Sequence, residues 1–241
     1  MQTFIVKLLA NKSFNIARRN QEITNGFCNA CKHGHLEIAQ MLLNEFDFTL
    51  NKVQCNNLFI LTSANGHLDV AKWLVDVLYL KEEDVKSNNN NALVFACANG
   101  HLEIVKWLID EHGCLKPTVS IGDPDINNNL PFEYACKNGH LEIAKYLHSY
   151  LWVKYKYVTN YYAHSNNNFS LLSACHNGHL HVVVWLVDTF EFGVQHLKNQ
   201  GHNLPNPFTF TFGHFDVAKY LVQKFHLKIE DAMSITGMLK K

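Results

Sequence analysis

The chain has no excess of charge of either sign. Its 241 residues carry 21 Lys and Arg against 21 Asp and Glu. A balance of zero removes the simplest electrostatic route to a nucleic acid or an anionic membrane surface. No apolar run approaches the roughly 18 residues needed to span a bilayer, so no transmembrane helix and no membrane partner are expected. The apolar opening, residues 1–10, is interrupted by Lys7 and followed by no long hydrophobic stretch, so it does not read as a signal peptide. There is no Gly-rich phosphate loop, no nucleophile elbow and no His-Glu-x-x-His. The expectation is a protein that is not an enzyme, without catalytic residues, cofactor or metal.

What the chain does have is a recurring pair. Gly-His stands at Gly34-His35, Gly66-His67, Gly100-His101, Gly139-His140, Gly178-His179 and Gly213-His214, with steps of 32, 34, 39, 39 and 35 residues between glycines. A fixed period in this range is the mark of a repeat array. After each pair come Leu or Phe, usually an acid, and an apolar run closed by Trp-Leu, Tyr-Leu or Met-Leu. In the best-formed copy, Leu102, Val105 and Ile109 share a helical face with Ile104 and Leu108. Glu103 and Lys106 lie on the other face, where a pair adds only about 0.2–0.5 kcal/mol. Upstream, residues 92–99 read as a shorter helix. Gly100 is then the left-handed residue that ends it, and His101 opens the next helix.

Asparagine clusters precede the short helices: Asn56-Asn57, Asn88 to Asn91, Asn127 to Asn129 and Asn166 to Asn168. Their regular placement points to turns and helix caps rather than to disorder. Each unit becomes turn, short helix, tight turn, longer helix, loop. A unit this small cannot bury a core alone, so neighbours must stack.

On these residues the chain resembles the ankyrin-repeat family. The pattern Thr-Pro-Leu-His-x-Ala is filled by Leu130-Pro131-Phe132-Glu133-Tyr134-Ala135, with Gly139-His140 in place after it. Asn91 to Ala96 and Phe169 to Ala174 fill it in neighbouring copies. No copy keeps the Thr-Pro or the first His, and the second helix is the better preserved part. The Gly-His-Leu-Glu-Ile-Val-Lys-Trp-Leu form resembles repeats of large DNA viruses and amoebae. The resemblance implies an all-α solenoid of antiparallel helix pairs that binds another protein on its concave side and turn tips. Candidate contacts are Val94, Glu133 and Leu172 on first helices. The expected partner is a protein and not a nucleic acid; the chain is expected to be a monomer. The alternative is the substrate-recognition subunit of a ubiquitin ligase or another multi-protein complex.

The layout expected is a worn half-repeat over 1–24, repeats over 25–226 (25–56, 57–90, 91–128, 129–167, 168–202 and 203–226), and a capping helix in 227–241. Residues 152–162 leave two readings open. Lys154 and Lys156 alternate with Tyr155 and Tyr157, and Val153, Val158 and Thr159 are β-branched, which suits an extended finger. Equally, Tyr150 to Trp152 continue the preceding helix. In either form Trp152, Tyr155, Tyr157, Tyr161 and Tyr162 are candidate contacts, because aromatics anchor interfaces.

Cysteine number tempts a disulfide reading, but Cys31, Cys97, Cys136 and Cys175 hold equivalent places in four repeats. Stacked helices lie about 8–10 Å apart, beyond the roughly 7 Å Cα limit for a bridge. They read as small buried fillers in a reducing, intracellular and cytoplasmic setting (the host-cell cytoplasm, if the source is viral). The same spacing separates the six repeat histidines too far to share a zinc ion. Their expected task is hydrogen bonding between a turn and the adjacent repeat. Trp73, Trp107, Tyr146, Trp185 and Tyr220 form an aromatic column expected to pack in and between repeats.

Overall fold

A computed structural model describes residues 16–115, 129–155, 159–193 and 213–227. Among them every regular element is a helix: α1 (Ile16–Lys32), α2 (Leu36–Glu45), α3 (Lys52–Ala64), α4 (Leu68–Val77), α5 (Glu82–Val85), α6 (Ser87–Asn99), α7 (Leu102–Asp110), α8 (Leu130–Lys137), α9 (Leu141–Tyr155), α10 (Thr159–His176), α11 (Leu180–Thr189) and α12 (Phe215–Lys224). The chain divides into two compact units at Ala92/Leu93.

In the first unit, α1 pairs with α2 and α3 with α4, and the first helices α1 and α3 pack together. Phe27, Cys31, Leu42, Leu58, Val70 and Leu74 form its core, with the Phe48 and Trp73 rings 5.1 and 6.1 Å from that of Phe27. In the second unit, α8 pairs with α9 and α10 with α11. First helix lies on first helix (α8 on α10), and second on second (α7 on α9, α11 on α12). This nearest-neighbour packing is what a stack of two-helix modules requires. Ile104, Leu108, Ile143, Leu147, Leu171 and Leu186 are fully buried, as the helical period predicts. On the opposite face the Glu103–Lys106 and Glu142–Lys145 pairs form at 2.8 and 2.9 Å.

The aromatic column divides by depth. Trp107 is 6% exposed and donates its indole N–H to Glu111 at 2.9 Å. Tyr146 donates its hydroxyl to Asp110 of the preceding repeat, also at 2.9 Å. Met41, at the same position in the first copy, stays 40% exposed.

The turn between the two helices of a module is the most regular feature. At each of the six glycines φ lies between 74° and 94°. Gly139 shows the bonding: its N–H meets Cys136 O, and the N–H of His140 meets Ala135 O at 2.9 Å. This pair of bonds, five-to-two and six-to-one, is the Schellman ending of a helix. The same pair recurs at Gly34-His35, Gly66-His67 and Gly178-His179.

The polar stretches divide between correct and corrected expectations. Asn88, Asn89 and Asn90 have φ of 52°, 58° and 59°, so that cluster does form a left-handed turn; of Asn166 to Asn168 only Asn168, at 62°, takes this conformation, within α10. Asn56 and Asn57 instead lie inside α3. That helix is capped by Asn51, whose side chain and Gln54 form a reciprocal capping box. Helix α1 runs through residue 24, with Ile23, Phe27, Ala30 and Cys31 on one buried stripe. Residues 152–155 are helical rather than an extended finger, since Leu151 completes the buried row of Ile143 and Leu147. Thr159 already begins the next helix. Residues 1–15 of the expected half-repeat, the loop at 116–128, residues 203–212 of the last repeat and residues 228–241 of the expected cap lie outside the described residues.

Thr62 and Ser63 occupy the place where other copies have Ala-Cys. Both are fully buried, and neither hydroxyl has a hydrogen-bond partner. A buried hydroxyl left unpaired costs about 1–3 kcal/mol. Ser63→Cys, which restores the residue of the other copies at similar volume, is expected to stabilise the protein by about 1 kcal/mol. A urea midpoint that rises with unchanged m-value would show it; a midpoint that stays or falls would contradict it.

Candidate functional site

The histidine after each turn glycine caps nothing. His35, His67, His101, His179 and His214 stand at helix N-caps with ψ near 70° and no side-chain capping bond. The rings of His67, His140, His179 and His214 turn back onto the preceding repeat. A Cβ placed on Gly100 would lie 2.7 Å from Cε1 of His140, and one on Gly139 would lie 2.6 Å from Nδ1 of His179. His67 lies over Gly34, and His214 over Gly178, in the same close way. The glycines are therefore required twice, once by backbone angle and once by the ring resting on them.

Hydrogen bonds complete the rungs at Gly34, Gly100 and Gly139. The carbonyl two residues before the glycine accepts from the next repeat. Ala98 O takes the side-chain amide of Asn138 at 2.6 Å and Nε2 of His140 at 3.0 Å. Because the carbonyl only accepts, the His140 proton sits on Nε2. Lys137 O takes the Asn177 amide at 3.0 Å and also bonds His179. Lys32 O takes the Asn65 amide at 3.1 Å. The expectation that these histidines hydrogen-bond a turn to its neighbour is met at His140 and His179. The asparagine before the glycine is the histidine's equal partner, a role that the sequence reading does not assign. His181, which stands where other copies carry an acid, adds a bond from Nε2 to Gly139 O at 2.9 Å.

The candidate contact residues fall in different places. Val94 is 4% exposed and Glu133 2%, so neither presents a surface to a partner. Glu133 points inward because Asn129 donates to its carboxylate at 2.9 Å, a pair closed within the protein. Leu172 is half-buried. Ser173, after Leu172, is buried, whereas after Val94 and Glu133 the more outward position is one residue further along, about 100° round the helix. Phe95 is 41% exposed there, and Leu61 46%; Tyr134 shares that position beneath the Lys137 ammonium. Trp152 and Val153, at the end of α9, are 55% and 77% exposed. Tyr155 ends α9 and Tyr161 and Tyr162 lie in the first turn of α10; Tyr157 lies outside the described residues.

All seven cysteines are free thiols. Burial pushes Cys31 and Cys175 up to about 12 and raises Cys97 and Cys136 as well. Such thiols are packing groups, not nucleophiles. Among the described residues no three His, Cys, Asp or Glu side chains converge as a metal site. No described helix is long and apolar enough to cross a membrane.

Residues 65–157 match the family model for ankyrin repeats in three copies. No curated protein matches the chain.

The rung carries a pH dependence. The His179 imidazole is held below its ordinary 6.5 by burial, then by His181; the Lys137 carbonyl opposes this, and His140 and His214 add smaller repulsions. His148 is lowered by burial alone, its ring 5.9 Å from that of Trp185 and 5.0 Å from that of Phe190. For both groups the unfolded chain takes up a proton at about 6.5 that the folded chain refuses. Stability is therefore full above that value and is lost as the pH falls through it. The melting temperature is expected to drop between neutral and mildly acidic buffer, and His148→Phe is expected to make the drop shallower. An acid loss of equal slope in the variant would remove His148 from the account.

Proposed function

We propose, from the ankyrin repeats that residues 65–157 match, that this chain is a non-catalytic module that binds another protein through its first helices, its turn tips and the exposed end of α9. Ankyrin repeats generally mediate protein–protein interaction. The observation that carries the reading here is the exposure of Trp152 and Val153, at 55% and 77%. They stand where a second helix hands over to the next module. Phe95 and Tyr134 add aromatic surface on first helices of the same unit. Large apolar side chains of this kind cost free energy in water and supply anchors when covered. The rigid packing beneath them means that little order is lost on binding.

The test is affinity purification from cells with mass spectrometry, comparing the wild type with a Trp152→Ser/Val153→Ser variant. Both residues are surface residues, so the melting curve should hold within about 0.5 kcal/mol. A true anchor contributes about 2 kcal/mol or more, so the partner should be depleted roughly thirtyfold. Recovery of the same partner in equal yield would overturn the reading. Ligase components in the wild-type eluate would identify a substrate-recognition subunit; a single partner without them would identify a sequestering module.

A further inference from the structure

We propose that the Asn-Gly pairs of the turns, Asn65-Gly66, Asn138-Gly139 and Asn177-Gly178, are deamidation sites whose conversion uncouples neighbouring repeats. Asparagine followed by glycine is the dipeptide most open to this chemistry, because glycine has no Cβ to shield its nitrogen. The glycine main-chain nitrogen attacks Cγ of the asparagine and gives up its proton. The Cγ–Nδ2 bond breaks and ammonia leaves, forming a cyclic imide. Water then adds to one of the two imide carbonyls. The ring reopens to aspartate, or to isoaspartate with the side-chain carbon inserted into the main chain.

Two features of the turn bear on this reaction. First, the folded turn holds it back. The attacking nitrogens are engaged, with Gly66 N–H bonded to Ser63 O, Gly139 to Cys136 O and Gly178 to Cys175 O. The asparagine amides are drawn away to the preceding repeat, onto Lys32, Ala98 and Lys137 carbonyls at 3.1, 2.6 and 3.0 Å. All three asparagines are nonetheless solvent-exposed residues, so water reaches them once a turn opens. The reaction is gated by that local opening.

Second, the product cannot remake the rung. The amide donates to a carbonyl; the carboxylate that replaces it only accepts, and it sets a negative charge against the carbonyl oxygen. Isoaspartate also lengthens the main chain just before the glycine. At Gly139 and Gly178 this displaces the residue on which His179 and His214 rest. The change is covalent and is not reversed by refolding. The array thus carries an ageing switch in each of these turns, closed while the repeats stay packed.

The experiment incubates the full chain in mildly alkaline buffer, folded and in urea, and maps the three sites by mass spectrometry of peptides that separate aspartate from isoaspartate. Conversion of the folded chain is expected to be about tenfold slower or more. The converted fraction is expected to melt earlier and to exchange its amides faster in the two helices flanking the altered turn. Asn138→Asp provides the aspartate product directly and should show the same faster exchange around Ala98 and Gly139. Equal rates in folded and unfolded chain would remove the gate. Converted or Asn138→Asp protein with unchanged melting and exchange would remove the uncoupling.

Discussion

The structure depends on one close approach: an imidazole of one module lying against the turn glycine of the module before it. That contact leaves no room for a Cβ at Gly100 or Gly139. It also requires the helix to end in the left-handed conformation that glycine adopts at least cost. With the ring fixed, its Nε2 and the neighbouring asparagine amide converge on one carbonyl, as His140 and Asn138 do on Ala98. One steric fact thus accounts for three residues of the motif. The asparagine and histidine supply the donors, and the glycine supplies the vacancy.

The rung also explains where energy is and is not spent in a module. Buried thiols at Cys31, Cys136 and Cys175 sit on the helix turn that the Schellman bonds close, so a small apolar side chain is the one that fits. Repeat two departs from this with Thr62 and Ser63, and bears two unpaired hydroxyls for it. Inter-repeat contacts further out are side-chain bonds of lesser weight, such as Tyr146 to Asp110 and Lys224 to Asp188, each 36 residues apart. Both lie among exposed side chains, where such pairs add little. Because the modules are held by their neighbours, the outward side chains of the first helices are released from structural duty. Their variety is what a binding surface can use.

Much of this was legible in the residues. The Gly-His pairs, the helical stripe after them and the inward cysteines each follow from a strong local rule, and each stands in the structure. Other features turned on information that a single chain does not display. Glu133 is charged and was placed outward, yet Asn129 pairs with it in the interior; no pattern marks that pairing. Val94 and Phe95 are adjacent apolar residues, and which of them faces out is set by the register of a helix whose start lies in a polar, Asn-rich stretch. Asn56 and Asn57 read as a turn because asparagine serves turns well, while Asn51 was the cap. The stretch after Tyr150 carried strand-like residues, and only the burial of Leu151 behind Leu147 and Ile143 decides for the helix.

A double-mutant cycle between Gly139 and His179 tests the central contact directly. Gly139→Ala, His179→Ala and the double variant would be unfolded in urea alongside the wild type. If the ring occupies the space of the missing Cβ, adding that Cβ should cost much less once the ring is gone, with a coupling of about 1–3 kcal/mol. Costs that simply add, within about 0.5 kcal/mol, would mean that the glycine and the histidine do not constrain one another, and the account would fail at its base.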